Sequence, residues 1–436
     1  MAEKDNAKSW IVLAGVTFTV FFIFGSIKSL GVLLPALTEQ LASDTWIIGA
    51  CISLMVGWGY TIGLLTNALL VRFGPRVVAV GCGIISNVGL IVCACADNVY
   101  TFLIGILLAG FLLMQENIML GVVPYYFDKH YQTAVSIYCC ATAIGITIMP
   151  LLTQMFLLNY GWRGALLLIC GIGLHTIPVG ALLHSERPQK QNQTETIPSI
   201  SKSIDAPDLK IKNEKDSTKT SRKILSLLTN KPFLARVLVP GFVYGYVFNG
   251  WLIYIVSFAI ANGASLKESS IVASCGGIGV LIIRMSLPFL NKKLTYKHIM
   301  YSSSCLGAVS LILTTIFTSV VGMSLTSILF GIAIGALGAE IYIITKDVAD
   351  EDQYYNVLAV FHLFTGFASI TSGIITGLIY DVTLSFTVSF SILAAVFVLA
   401  AVSLGLEDIY NMKNFIATWC RPNIIRYIYR EFLKTH

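Results

Sequence analysis

Twelve long apolar segments alternate with shorter polar intervals along the chain and define the predicted architecture. Each segment contains about 20 or more predominantly apolar residues, enough for an α-helix to cross the hydrocarbon core of a bilayer. In chain order, spans 1 to 12 are predicted at residues 10–35, 46–70, 77–96, 100–123, 134–158, 162–183, 233–260, 269–290, 298–317, 323–345, 357–379 and 384–406. The pattern predicts an all-α membrane protein with 12 transmembrane helices in two six-helix halves.

A long polar interval, residues 184–232, separates span 6 from span 7. It is rich in Lys, Ser, Thr, Asn and Gln and poor in aromatic residues, a composition typical of flexible linkers. Asn192 within it begins an Asn-x-Thr glycosylation sequence, which a cytosolic location would keep unmodified. The predicted regions are an N-terminal half at 1–183, a cytosolic linker at 184–232, a C-terminal half at 233–406 and a cytosolic tail at 407–436.

The positions of the 29 Lys and Arg residues predict the orientation of the chain. With the N-terminus in the cytosol, nearly all of them fall in cytosolic segments. Only Arg163 and Lys267 fall outside, and Lys28 and Arg284 lie within spans. Since cytosolic loops carry an excess of Lys and Arg, both termini are predicted to be cytosolic.

The composition narrows the possible functions. Hydrophobic residues make up 56% of the chain and charged residues 12%, whereas soluble domains carry about 25% charged residues. This balance excludes nucleic-acid-binding modules, disordered chains and disulfide-rich secreted domains, and it disfavours a soluble enzyme. The 10 cysteines lie mostly within apolar segments without metal-site spacing, so neither a metal nor another cofactor is predicted. No set of His, Asp and Ser residues indicates a membrane enzyme.

Short motifs in the N-terminal half stand out from the apolar background. The segment Asn67–Arg76, between spans 2 and 3, reads NALLVRFGPR. It is similar to the loop motif of the major facilitator superfamily. The segment Ile27–Val32 (IKSLGV), the pair Tyr126-Phe127 and the segment Tyr160–Ala165 (YGWRGA) resemble the monocarboxylate transporter family within that superfamily. The chain is identified as a divergent member of that family.

The chain departs from the monocarboxylate transporter pattern at several positions. Span 8 carries Arg284, but Val280 lies where proton-coupled members have an Asp, four residues earlier. In span 10, Ile334 and Gly338 occupy the positions of an aromatic residue and a Ser in lactate carriers. The implied fold does not depend on these positions. Proton-coupled lactate transport does, so it does not follow from the resemblance.

Four charged residues lie deep inside the predicted spans: Lys28, Glu116, Arg284 and Glu340. A charge at the bilayer centre costs at least about 2.5–3.5 kcal/mol, so such residues face a cavity or a partner rather than lipid. Glu116, Arg284 and Glu340 each lie about 16 residues into a span that runs inward, which places them at one depth in helices of uniform rise. Lys28 lies nearer to the outer face.

These charges define a predicted substrate site between the halves. Arg284 offers a planar guanidinium that suits a carboxylate, and Lys28 is a cation for an anion or a carrier of a proton. The resemblance implies that the aligned Lys and Arg bind substrate. Alternatively, Arg284 only forms an internal salt bridge with Glu340 or Glu116. The predicted substrate-binding residues are Lys28, Glu116, Asn117, Asn249, Arg284 and Glu340.

Aromatic and histidine side chains inside the spans allow two interpretations. Tyr60, Tyr244 and Tyr246 either line the cavity or pack between helices, and packing is the commoner role of such residues. His175 and His362 fall inside spans 6 and 11 and are expected to pack as neutral, hydrogen-bonded residues.

The tail carries a possible lipid-binding face. Arg426, Arg430 and Lys434 recur every four residues, so a helix would bring them to one side. The tail is predicted either to rest on anionic lipid of the inner leaflet or to be flexible.

The resemblance implies a secondary transporter that works by alternating access. Its expected substrate is a small carboxylate-bearing organic solute, a monocarboxylate or an amino-acid-like zwitterion. The solute would cross the plasma membrane by proton symport or by facilitated diffusion. Members of the family often need a single-span immunoglobulin-like escort protein, and no nucleic-acid partner is expected. The alternative is a sensor or scaffold that keeps the transporter fold but moves no solute.

Overall fold

The structure, a computed structural model, describes residues 5–63, 65–183, 233–348 and 354–419. Every regular element in these ranges is helical, which confirms the all-α fold class. The α-helices are Ala7–Gln40, Thr45–Gly63, Thr66–Phe73, Pro75–Ala94, Val99–Ala109, Phe111–Tyr126, Tyr131–Gly173, Thr176–Leu182, Val239–Ala261, Leu266–Leu290, Tyr296–Ile316, Val320–Val348, Tyr354–Thr383 and Phe386–Trp419. A π-helical turn, Leu234–Leu238, precedes the ninth of them.

Spans 5 and 6 are two helices that follow each other directly, with a sharp break at Gly161. Within the described ranges, eleven segments are long and apolar enough to span a bilayer, and one of them, Tyr131–Leu182, has 52 residues. A straight helix of that length would measure about 78 Å, more than twice the hydrocarbon thickness. Gly161 breaks it with φ +67°, and Gly145 and Gly173 both lie against Phe21–Phe22 of span 1. The chain therefore reverses between them, which confirms the predicted 12 spans.

Some helices differ from the predicted spans in extent. Span 4 is divided into Val99–Ala109 and Phe111–Tyr126, and Gly110 between them packs against Met55 and Trp58 of span 2. The helix of span 12 runs to Trp419, well beyond the predicted end at residue 406. No Gly or Pro interrupts residues 407–419, so the backbone hydrogen bonds continue into the predicted tail.

The two halves meet mainly along three pairs of spans: 1 with 7, 2 with 11, and 5 with 8. Each pair uses a glycine at a point where the helices approach closely, as is common in membrane bundles. These approaches are Gly31 to Leu252, Gly57 to Ile370 and Gly277 to Thr147.

The predicted orientation defines the two ends of the bundle. The outer end carries the link between spans 1 and 2, and the inner end carries the link between spans 2 and 3. At the outer end, the backbone N–H of Trp46 donates a hydrogen bond to Oδ2 of Asp381 at 2.8 Å. The Tyr254 hydroxyl donates to the Gly373 carbonyl at 2.6 Å and lies against Gly49 of the other half. With the predicted orientation, these contacts join the two halves at the outer end.

Several predicted features lie outside the described residues. They are the linker at 184–232 with Asn192 and the three basic tail residues Arg426, Arg430 and Lys434.

Candidate substrate site

Glu116, in the inner part of span 4, lies at the centre of a cluster contributed by both halves. The Tyr138 hydroxyl donates a hydrogen bond to Oε1 of Glu116 at 3.5 Å. The other carboxylate oxygen, Oε2, is buried without a hydrogen-bond partner. The charge of Glu116 also interacts with four tyrosines from spans 2, 5, 7 and 10, which are Tyr60, Tyr138, Tyr244 and Tyr342.

Arg284 of span 8 is the cation of this cluster. One terminal nitrogen, Nη1, donates a hydrogen bond to the Cys139 carbonyl of span 5, whereas Nε is buried without a partner. The charges of Arg284 and Glu116 interact, yet no ion pair joins them in the described part of the chain. A buried polar atom without a partner costs about 1–3 kcal/mol. Two such atoms on opposite charges indicate a place where a ligand or water supplies the missing hydrogen bonds.

His362 of span 11 completes the cluster. Its ring stacks on that of Tyr60 with 5.0 Å between centroids. Its Nε2 lies 3.3 Å from the Tyr342 hydroxyl, within hydrogen-bonding distance. Glu116, Arg284, the four tyrosines and His362 together form the central cluster.

A small cavity lies on the outer side of the central cluster. Its volume is about 20 Å³, enough for about one water molecule. Tyr60 and Tyr244 line it and connect it to the cluster. Asn249 also lines it, and its Nδ2 donates hydrogen bonds to Ser53 Oγ and to the Ser369 carbonyl, both at 2.9 Å. Asn249 therefore links span 7 to spans 2 and 11 beside the cavity.

Lys28 lies apart from Glu116 and Arg284, at the contact between spans 1 and 7. It is fully buried, and its Nζ donates a hydrogen bond to the Leu252 carbonyl at 2.9 Å. The same nitrogen lies 4.0 Å from the centre of the Trp251 ring, a cation–π contact. This position agrees with the shallower depth predicted for Lys28. In this conformation Lys28 joins the two halves at the contact between spans 1 and 7.

Glu340 lies outside the central cluster. It is fully buried, neither carboxylate oxygen has a hydrogen-bond partner, and the side chain within its reach is Asn291 at the inner end of span 8. The reason is its position around the helix. Tyr342, two residues later, contributes to the cluster, and two residues are about 200° apart on an α-helix. The alternative ion pair between Arg284 and Glu340 is accordingly not formed among the described residues.

The amides on either side of Glu116 point in different directions. Asn117 lies against Gly63 of span 2. Gln115 donates hydrogen bonds to the Ala79 carbonyl at 3.2 Å and to the Thr176 carbonyl at 3.4 Å. Gln115 therefore packs against spans 3 and 6.

Sequence reasoning did not identify three members of the central cluster as site residues: Tyr138, Tyr342 and His362. A single Tyr or His in an apolar span is compatible with packing as well as with a site. Within the described ranges, no group of three or more His, Cys, Asp and Glu residues is arranged to hold a metal ion.

Comparison with known proteins identifies relatives along most of the chain. A family model of the Major Facilitator Superfamily matches residues 16–351. Monocarboxylate transporter 13 of Rattus norvegicus is 24% identical over 409 residues, which cover 91% of this chain and 88% of that protein. Monocarboxylate transporter 11 of Homo sapiens is 31% identical over 184 residues, which cover 41% of this chain and 38% of that protein. These matches confirm the resemblance indicated by the N-terminal motifs.

Solved structures agree on the fold. A point mutant of the nucleoside transporter NupG superposes with a TM-score of 0.73 at 16% identity, covering 92% of this chain and 99% of that one. The POT family transporter PepTSo superposes with a TM-score of 0.71 at 14% identity, covering 94% of this chain and 99% of that one.

Proposed function

The chain belongs to the major facilitator superfamily, and from this premise we propose that it is a secondary transporter of a small carboxylate-bearing organic solute at the plasma membrane. Its two halves would alternate between outward-facing and inward-facing states about the central cluster. The relatives named as monocarboxylate transporters support a carboxylate as the common chemical group of the solutes. The predicted orientation, with both termini in the cytosol, belongs to the same proposal.

The observation that carries the proposal is the unpaired hydrogen-bond donor of Arg284. Its guanidinium lies between the halves with Nε buried and unpaired, and without an ion pair to Glu116 among the described residues. A guanidinium presents parallel N–H donors that match the two oxygens of a carboxylate. A solute carboxylate at Arg284 would satisfy the unpaired donor. It would bind where the halves meet, because Nη1 of Arg284 donates a hydrogen bond to the Cys139 carbonyl of the other half.

Lys28 has a different role in the proposed cycle. Its present partners belong to the closed outer contact between spans 1 and 7. When that contact opens, the ammonium loses the Leu252 carbonyl and becomes available to an anion entering from outside. Lys28 would then attract the solute, and Arg284 would hold it.

Uptake of labelled carboxylates and amino acids into vesicles containing the purified protein tests the proposal, with and without an inward proton gradient. Arg284→Lys keeps the charge but not the planar donor pair, so we expect normal membrane insertion and uptake reduced about tenfold or more. Arg163→Lys is the matched control, because Arg163 pairs with Asp97 at 2.7 Å at the outer surface. It should transport normally.

Two results would contradict the proposal. Normal uptake by Arg284→Lys would remove Arg284 from the solute site. Correctly folded wild-type protein that moves no solute, in either the presence or absence of the gradient, would favour a sensor or scaffold on a transporter fold.

A further inference from the structure

We propose that the central cluster contains a second binding position, for an organic ammonium group, and that the solute is a zwitterion. Its carboxylate would bind Arg284, and its ammonium would bind Glu116 among the four tyrosines. This inference rests on the proposed function, because it specifies the chemical class of solute for the same site.

The first argument is charge balance. Glu116 and Arg284 carry opposite charges that interact without forming an ion pair in the described part of the chain. A monocarboxylate bound to Arg284 would leave one net negative charge in a region of low dielectric, beside the carboxylate of Glu116. A zwitterion keeps the cluster neutral and gives each charge an opposite partner. It therefore avoids the large cost of an unpaired buried charge.

The second argument is hydrogen-bonding capacity. Oε1 of Glu116 accepts one long hydrogen bond from Tyr138, and Oε2 accepts none. An ionised carboxylate only accepts hydrogen bonds, and an ammonium group only donates them. The open acceptor at Glu116 and the open donor at Nε of Arg284 therefore match the two ends of one zwitterionic solute.

The third argument is the aromatic environment of Glu116. The Tyr138 hydroxyl lies 3.5 Å from Oε1 of Glu116, and Tyr60 and Tyr342 both contact His362 in the same cluster. The faces of aromatic rings attract cations by about 0.5–2 kcal/mol. They offer no comparable gain to a carboxylate. An ammonium group bound to Glu116 would lie near the ring of Tyr138 and gain from this attraction.

The rival explanation is that Glu116 carries a proton. A protonated Glu116 would also leave the cluster neutral when a monocarboxylate binds Arg284. The two explanations differ in what an uncharged Gln at position 116 does to binding. If Glu116 binds the ammonium group, Gln should remove a preference for amino acids over carboxylates. If Glu116 carries a proton, there is no such preference, and Gln should leave monocarboxylate binding intact.

Equilibrium binding to the purified full-length protein tests the inference without relying on transport. The probes are pairs that differ only in a terminal amino group: acetate and glycine, propionate and β-alanine, butyrate and 4-aminobutyrate, and pentanoate and 5-aminopentanoate. The carbon chain lengthens from pair to pair, so the series covers a range of distances between the carboxylate and ammonium positions. For at least one pair, we expect the wild-type protein to bind the amino acid about tenfold or more tightly than the carboxylate, as a buried charge pair would give.

Variants separate the ammonium position from general effects of a buried carboxylate. Glu116→Gln should reduce the preference for the amino acid about tenfold or more. Glu340→Gln is the matched control, because Glu340 is buried and without hydrogen bonds but lies outside the cluster. It should keep the wild-type preference. Tyr138→Phe keeps the ring and removes the hydroxyl that contacts Glu116, so it should keep most of the preference.

The inference is wrong if no amino acid binds more tightly than its carboxylate partner, or if Glu116→Gln keeps the preference. Equal loss in Glu116→Gln and Glu340→Gln would also overturn it. A retained amino-acid preference in a protein that transports nothing would refute the proposed carrier but leave the ammonium position standing.

Discussion

The ring of Tyr60 stacks on the ring of His362 with 5.0 Å between their centroids, and this contact joins the two halves beside the charged residues. Tyr60 lies in span 2 and His362 in span 11. The His362 ring also lies 3.3 Å from the hydroxyl of Tyr342, another member of the central cluster. The contact between the halves and the site therefore share residues.

Removing the ring of Tyr60 should destabilise the closed bundle. Tyr60→Ala deletes a buried aromatic side chain and should cost about 2–5 kcal/mol of stability, whereas Tyr60→Phe keeps the stack and should cost much less. Thermal unfolding of the detergent-purified variants measures the difference. Equal unfolding temperatures for the two variants would show that the stack does not stabilise the contact.

Arg284 and Glu340 should contribute independently to stability. They do not form an ion pair among the described residues, and Glu340 lies near Asn291 instead. The effects of Arg284→Ala and Glu340→Ala on unfolding should therefore add within about 0.5 kcal/mol in a double-mutant cycle. A strong rescue of Arg284→Ala by Glu340→Ala would reveal an ion pair in another conformation and restore the purely structural role of Arg284.

Uptake of a zwitterionic solute should not depend on an inward proton gradient. The ammonium of such a solute neutralises Glu116, so the loaded carrier needs no proton to bury the charge. Flux into vesicles, measured with the gradient imposed and then collapsed by an ionophore, checks this. Stimulation by the gradient that disappears in Glu116→Gln but persists in Glu340→Gln would identify Glu116 as a proton carrier.

Lys28→Met should separate folding from transport. The fully buried ammonium is held by the Leu252 carbonyl and the Trp251 ring. Met fills a similar volume without a charge that needs burial, so the unfolding temperature should stay the same or rise. Uptake should fall, since the cation of the outer contact is lost. The control is Lys8→Met, at an exposed position near the N-terminus. Normal uptake by Lys28→Met would limit Lys28 to a packing role.

The fold was predictable from the sequence because the number and length of the apolar spans are strong signals. The break between spans 5 and 6 was also visible, since Gly161 lies between two apolar segments. The charges of Glu116 and Arg284 were conspicuous as site candidates because charged residues are rare in such segments.

The direction in which each side chain points was not predictable. The depth of a residue can be predicted by counting along its span. Its angle around the helix axis can be predicted only when the helix has a polar face, and these spans are apolar on all sides. Glu340 illustrates the result: it lies outside the central cluster, whereas Tyr342, on the opposite face of the same helix, contacts His362 within the cluster. Lys28 illustrates a second limit, because its partner is the backbone carbonyl of Leu252. No residue type in the sequence marks such an acceptor.

A substitution at Gly31 offers a way to stabilise the state of the proposed transport cycle in which spans 1 and 7 are separated. A methyl group on Gly31 would lie 2.7 Å from the Leu252 carbonyl oxygen and 3.0 Å from that of Ile253. Both are backbone atoms of span 7 and cannot rotate away as a side chain would. Ala at this position therefore acts as a wedge that holds spans 1 and 7 apart. In the proposed cycle and orientation, Gly31→Ala should therefore favour the state that is open on the outer side, in which reagents added from that side reach the cavity.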